Sequence, residues 1–344
     1  MHMGYLKSGK TPIIIAILCL IYCTAVPGIS SAQDSLRITT WNIEHLGSEG
    51  RGFGGGFGGG SLPPRSDLQL AEIGLFLKET VDTQIIAVQE ISITHEINSE
   101  SKSSELDKIT ASMGESWKYY LPPKQPDHGD ESMYVGFIWN ESIVNPVMIA
   151  PLDIQNIELA GKALFDRIPV VGYFETIAED APGNDFLIVN VHLASGQDND
   201  ENHLIAMVLI EYQLKYSLST LHIRESDRII LGDFNDNPYA EYPSGTKKYS
   251  DALYRHMERK GYRDFVTPDF HSTRMDSNLT SIIDHMLINK SAQVHVMQTM
   301  NAEIWLPPEG PEDYPEWRET FSDHFPISID IKISGDDDSD WENN

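Results

Sequence analysis

The chain has 344 residues, 40% of them hydrophobic, which is enough apolar side chain for one large folded domain or two small ones. With 52 acidic against 25 basic residues the formal charge is −27, which excludes a broad basic face for tight binding to nucleic acid or an anionic membrane. A polyanion reaching this protein needs bound cations or a local basic patch, so brief contact with nucleic acid stays open.

The first predicted element is an export leader, residues 1–32. Lys7 and Lys10 precede an apolar run from Pro12 to Val26, and Ser30, Ser31 and Ala32 supply the small residues of a cleavage site. That run is about 15 residues, short of the ~20 that span a bilayer, so we expect cleavage after Ala32 rather than a retained anchor. Both cysteines, Cys19 and Cys23, fall in this segment, and neither follows the small residue of a lipid-attachment site. The mature chain then has no thiol, which removes cysteine nucleophiles, thiolate zinc sites and disulfides together. A folded domain is expected over residues 33–334, followed by an acidic tail, 335–344, too polar to pack.

The alternating, β-branched LRITTWNI predicts a strand immediately after the leader. Residues 50–64, GRGFGGGFGGGSLPP, are too glycine-rich for regular structure and form a loop, either a solvated insertion or a flap carrying Phe53 and Phe57. No Gly-Lys-Ser/Thr follows, so it is not a phosphate-cradling loop. Ser66 then caps a helix whose apolar face is Leu70, Ile73 and Leu77, and QIIAVQE follows as a strand. Further strands are predicted at 134–140, 168–177, 186–194, 228–234, 281–289 and 325–333, and helices at 201–218 and 250–260, the latter stopped by Gly261. So many strands exceed one simple open sheet, which favours two packed sheets with helices outside.

Several of these strands end in a carboxylate, amide or imidazole. They are Asn42 and Glu44 in ITTWNIEHLG, Glu90 in IIAVQE, His192 in FLIVNVHLAS, Asp233 and Asn235 in IILGDFND, Asp284 in IIDHMLI, and Asp323 with His324 in FSDHFPI. One strand-end Asp or Asn commonly starts a turn, but repeated placement points to a shared site. Oxygen donors without sulfur suit magnesium, manganese or calcium better than zinc, and Glu90 is the first choice of ligand. Asn42 and Glu44, two apart, share a face of an ideal strand, as do Asp233 and Asn235 if their strand persists. Asp323 and His324 diverge on a strand and need a turn, for which Ser322 is suited.

A divalent cation stabilises charge growing on a phosphoryl oxygen while a carboxylate orients and deprotonates water. That chemistry assigns Asp233 to the water, His192 and His324 to acid, base or phosphate contact, and Asp284 to orienting one imidazole. His45, His95, His128, His203, His222, His256, His271 and His295 have no comparable setting and are read as surface or packing residues.

Taken in order, WNIE, VQE, NVHL, GDFN, IDH and SDH resemble the endonuclease/exonuclease/phosphatase superfamily over residues 36–334. The resemblance implies a four-layer α/β sandwich, two packed mixed β-sheets flanked by helices, with the site at one end of the central sheets. It implies metal positions at Asn42 and Glu90, an acid at Glu44 as in some members, and a metal-proximal acid at Asp323. It further implies His192 beside the scissile phosphate, Asp233 with Asn235 handling water and phosphate, and His324 oriented by Asp284. FDRIPVVGYFET resembles the stretch in which deoxyribonuclease-like members carry a phosphate-contacting arginine, here Arg167. One departure is Met133, which stands where nuclease-like members place a Glu, with Glu131 nearby, so no partner is assigned to orient His192.

The expectation is an exported, divalent-metal-dependent phosphodiesterase, a monomeric nuclease of low sequence specificity. Magnesium is its expected cofactor and DNA its transient substrate, met in the periplasm or outside the cell. No stable membrane association is expected once the leader is removed. Two alternatives stay open: a phospholipid, sphingomyelin or small-phosphoester hydrolase of the same superfamily, and a non-catalytic interaction module.

Overall fold

β-Branched and aliphatic residues make β1 (Ser35–Leu46) and β2 (Ile85–Ser92) a parallel pair in the first sheet, with Ile38 opposite Ile85 and Asn42 opposite Gln89. The computed structural model describes residues 35–333 apart from 49–61, 125–132, 155–156, 160–161, 166, 178–182, 196–199, 221–222, 224, 240–249, 268–271, 276–280, 299–300, 309 and 311–312. The leader, nearly all of the glycine-rich loop, Glu131 and the acidic tail lie outside the described residues.

Beyond β1 the first sheet continues antiparallel through β16 (Ile327–Lys332) to the short β15 (Glu303–Ile304), and beyond β2 through β6 (Met133–Asn140) to β5 (Trp117–Tyr120). The second sheet is built on another parallel pair, β11 (Asp185–His192) and β12 (Arg228–Asp233). On one side lie β10 (Val170–Thr176) and β7 (Val144–Pro151), on the other β14 (Asp284–Asn289) and β13 (Tyr262–Asp264), all antiparallel to their neighbours. Two small hairpins, β3 (His95–Ile97) with β4 (Glu100–Lys102) and β8 (Glu158–Leu159) with β9 (Lys162–Ala163), stand apart from both sheets.

Helix α1 (Asp67–Leu75) starts at Ser66, whose hydroxyl and the Gln69 side chain close a reciprocal capping box, and it runs on as a π-helical turn over Phe76–Thr80. With α2 (Ser104–Met113), capped by Ser103, it covers the outer face of the first sheet, burying Trp41, Ile43, Val88 and Ile138. Helices α3 (Asp200–Thr220) and α4 (Ser250–Arg259) cover the outer face of the second, over Leu187, Val189 and Ile230. Gly261, at φ +88°, supplies the left-handed residue after α4. Between the sheets Ile38, Phe137, Phe174, Ile188, Leu231, Met286 and Ile329 interlock, each fully buried side chain contributing ~1.5–3 kcal/mol. The layers are helix, sheet, sheet, helix, the expected four. Helix α5 (Tyr314–Thr320) joins a smaller cluster with Phe325.

Two differences from the sequence reading have physical causes. The strand expected from 281 begins at Asp284, because the Thr273 hydroxyl oxygen takes the N–H groups of Ile283 and Asp284. Strand β7 escapes a pattern search because it contains Pro146 and ends at Pro151, which an edge strand tolerates.

This topology positions the site. Both parallel pairs present their C-terminal ends, and β14 and β16 their N-terminal ends, to the same edge of the sandwich. An amide bridge in the core holds the sheets in register: Gln89 donates to Asn190 Oδ1 at 2.7 Å, and Asn190 donates to the carbonyls of Val88 and Gly136 at 2.9 and 2.7 Å.

Candidate active site

The strands do not end smoothly. Glu44 (φ +32°), His45 (φ +49°), Glu90 (φ +62°) and Asn235 (φ +48°) are four of the seven described non-glycine residues with positive φ, and all four lie on the segments that present the site. Backbone held in this region costs of order 1 kcal/mol or more per residue, so its concentration at one place marks the strand ends as built for side-chain placement.

Asn42 is the hub. Its Nδ2 donates to Glu90 Oε1 and to Asp233 Oδ2, each at 3.0 Å, joining the two sheets through one buried amide. Glu90 also accepts from the backbone N–H of His45 at 3.0 Å. Asp233 Oδ1 accepts the backbone N–H of Asn235 at 2.9 Å, and the Asn235 side chain donates to the Leu193 carbonyl at 2.9 Å. His192 Nε2 lies 3.4 Å from Asp233 Oδ2 and 3.9 Å from Glu90 Oε1. His324 places Nδ1 2.8 Å from Asp284 Oδ2 and Nε2 3.8 Å from Asp233 Oδ2. The turn needed at Asp323 is made by Ser322, whose hydroxyl accepts from the His324 N–H at 3.1 Å and donates to the Asn42 carbonyl at 2.6 Å. Asp323 Oδ1 thereby lies 3.9 Å from His324 Nε2.

The two imidazoles are held in opposite protonation states. Burial pushes His192 well below its ordinary value, and the positive charges of Arg167, His324, His45 and Arg274 push the same way, so the ring is neutral. Burial acts downward on His324 too, but Asp284, by charge and hydrogen bond, with Asp323 and Asp233, lifts it to about 10, so this ring is a cation. Burial and the charge of Asp284 raise Asp233 to about 6 against the pull of His324, Asn42 and the Asn235 N–H. Burial would raise Asp323 as well, but His324, Arg274 and Arg318 outweigh it and hold the carboxyl below its ordinary value.

The structure therefore brings together Asn42, Glu90, His192, Asp233, Asn235, Asp284, Asp323 and His324. Arg167, three residues before β10, is near enough to exert the largest charge effect on the His192 imidazole.

Glu44 does not join the set, which corrects its expected role as a metal ligand. The bulge between Asn42 and Leu46 breaks the two-residue alternation. Its buried carboxylate is instead the counter-ion of Arg318, whose Nε lies 2.9 and 3.2 Å from the two oxygens. His45, read from sequence as a surface or packing residue, is at the site, with Nε2 3.6 Å from Glu90 Oε2. Arg274 was not singled out from sequence and also belongs here: Nε and Nη2 reach Asp323 Oδ2 at 3.2 and 3.1 Å, and its backbone bridges that of His324. The absence of a glutamate at Met133 has a visible counterpart, because the buried His192 Nδ1 has no hydrogen-bond partner among the described residues.

The donor chemistry fits a hard divalent cation. Asp233, Asp284 and His324 each offer a ligand atom within 4.8 Å of one another, and Asp284 Oδ1 is buried without a hydrogen-bond partner among the described residues. Glu90 adjoins this group, since its Oε1 and Asp233 Oδ2 accept from the same Asn42 amide, so its carboxylate extends the oxygen donors open to such an ion.

A family model described as "Endonuclease/Exonuclease/phosphatase family" matches residues 39–324. Among solved structures, an endonuclease/exonuclease/phosphatase family protein from Bacteroides thetaiotaomicron is similar at 14% identity and TM-score 0.54, over 87% of this chain and 98% of that one. The human nocturnin catalytic domain with bound sulfate is similar at 15% identity and TM-score 0.52, over 88% and 96%. A mannosyl-6-phosphatase from B. thetaiotaomicron is similar at 14% identity and TM-score 0.51, over 87% and 100%. At these identities the likeness is one of fold. No curated protein matches the sequence.

Proposed function

The chain belongs to the endonuclease/exonuclease/phosphatase family, whose members are phosphoester hydrolases, and on that premise we propose that it is a magnesium-dependent phosphodiesterase acting on nucleic acid with little base specificity. The observation that carries the proposal is Asp233, a buried carboxylate that meets Asn42 from the other sheet, neutral His192 and cationic His324 at one point. Glu90 and Asn42, with Asp233 or Asp284 adjoining, would hold the cation, which supplies charge stabilisation for a phosphoryl oxygen as negative charge grows on it.

The chain's own residues do the rest. Asp233, raised toward neutrality, orients a water molecule and takes its proton; a base near the working pH is the efficient choice. The Asp284-anchored His324 cation faces phosphoryl oxygens, where a fixed positive charge is worth most in a buried setting. Neutral His192 donates a hydrogen bond without adding charge, and Arg167 beside it takes a non-bridging oxygen. Recognition through phosphate rather than base edges gives low sequence specificity. The leader features at residues 1–32 support a periplasmic or extracellular encounter with substrate, testable by fractionation, and the proposed working form is a monomer without stable membrane association.

One observation favours a second reading. A charge of −27 is a poor match to a long polyanion, so a small phosphoester or a phospholipid headgroup is the alternative substrate. Plasmid DNA, RNA, sphingomyelin and an aryl phosphodiester assayed with magnesium and with chelator separate the readings. Chelator-sensitive nicking of plasmid is the expected result; phosphocholine release with plasmid intact would favour the alternative, and inertness toward all four would overturn both.

A further inference from the structure

Asp284 and His285 are consecutive on β14, so their side chains leave opposite faces of the sheet. Asp284 serves the site through His324, and nothing in that chemistry uses His285. Yet His285 is fully buried and as closely held as any catalytic group. Its Nδ1 is 2.8 Å from Asp264 Oδ2, and its Nε2 is 3.0 Å from the Asp236 carbonyl and 3.2 Å from that of Ile282. Every one of these partners is an acceptor, so both ring nitrogens must carry hydrogen and the ring is an imidazolium with Asp264 as counter-ion. Phe234 and Tyr254, with ring centroids 5.4 and 5.0 Å away, fix its plane.

The two carbonyls belong to the segments that carry the chemistry. Asp236 follows Asn235, a left-handed residue in the loop that presents Asp233; Ile282 lies two residues before Asp284. In line with the β12–β14 ladder these segments meet through the Phe234 N–H and the Ile283 carbonyl at 2.8 Å. His285 joins them a second time from the outer face.

We propose that His285 and Asp264 form a positioning pair, which bolts the Asp233–Asn235 loop to the Asp284 end of β14 and so fixes the attacking-water side of the site against the His324–Asp284 side. The pair touches no reacting atom. Consecutive Cα atoms are about 3.8 Å apart, so displacement of His285 is transmitted directly to Asp284, and misplacement of reacting groups by about 1 Å is enough to lower turnover on the order of 100-fold. For its kinetic arm the inference rests on the phosphodiesterase reading; its structural arm does not.

The test compares wild type, His285→Phe, His285→Gln and Asp264→Asn. Phe keeps the packing between Phe234 and Tyr254 and loses all three polar contacts, whereas the Gln amide can still donate to one carbonyl. Amide exchange is followed across 229–237 and 282–288, together with kcat and KM on an aryl phosphodiester. Loss of protection in both segments is expected in His285→Phe, with kcat lowered on the order of 10- to 100-fold, KM within about twofold, and His285→Gln between it and wild type. Folded His285→Phe with unchanged exchange in these segments would overturn the pair, as would exchange raised uniformly over the whole chain or a fall in kcat/KM caused by KM alone. Should His285→Phe not fold, Asp264→Asn leaves the ring in place, and the same two readouts decide. Wild type inert toward phosphoesters would end the phosphodiesterase reading, while the exchange data still judge the pair.

Discussion

The two ends of the second sheet both bury carboxylates beside an imidazole, and they do opposite things with them. At the end where β11 and β12 finish, Asp233 and Asp284 are approached by an amide, a neutral imidazole and a cationic one, so their charge is partly offset and the acids keep sites for other partners. Where the same strands begin, Glu225 sits against Asp185 and Asp227, with Tyr173 donating to Asp185 and His295 3.3 Å from Asp227. Burial, the shared hydrogen bond with Asp185 and the charges of Asp185 and Asp227 push Glu225 up to about 10, so that carboxyl keeps its proton. Burying acids is therefore not what makes a site. What distinguishes the active end is that its carboxylates arrive from different strands with cations and amides between them.

The sharpest way to break this contrast is to alter one acid at each end. Asp284→Asn keeps the shape but removes the anchor of the His324 cation, and kcat for phosphodiester hydrolysis is expected to fall on the order of 1,000-fold with the fold retained. A fall of less than tenfold would remove the His324–Asp284 pair from the chemistry. Next in size is a stability effect that separates Glu44 from the metal-capable acids. Arg318→Ala leaves a buried carboxylate uncompensated, which is expected to cost about 3 kcal/mol in denaturant unfolding while the magnesium requirement of the folded enzyme stays put. A shifted requirement would return Glu44 to the ligand set. Glu90→Gln is expected to do the reverse, raising the magnesium needed for half-maximal rate tenfold or more with little change in unfolding.

The smallest effect concerns the far end. A carboxyl raised in the folded state stabilises fully below its unfolded value and loses that contribution as pH rises through the folded value. Wild-type stability should therefore decline as pH rises from about 4.5 toward 10. Glu225→Gln should flatten that slope in thermal melts taken across pH and leave kcat unchanged; an unaltered slope would mean Glu225 titrates normally.

The same contrast explains what the sequence could show. Asn42, Glu90, His192, Asp233, Asp284 and His324 were legible because each borders or interrupts a strongly apolar run, and the strand, helix, strand order indicated the layers. Glu44 misled because strand alternation was carried through a bulge that only the paired strand reveals. Arg318 was invisible because its carboxylate partner is 274 residues away, and Arg274 because its own is 49 away with no apolar run to mark it. Gln89 and Asn190, 101 residues apart, did carry a signal, an amide inside a buried strand, which asks for a partner across the core. His45 was passed over although it directly follows WNIE, because its role depends on the left-handed turn that brings its N–H to Glu90.

The convergence of both sheets on Asp233 is tested most directly by plasmid nicking with wild type and Asp233→Asn, each in magnesium and after chelation. The account predicts cleavage by wild type that stops on chelation, and none by the folded variant under either condition. Nicking that survives chelation, or that the folded variant retains at the wild-type rate, would contradict it.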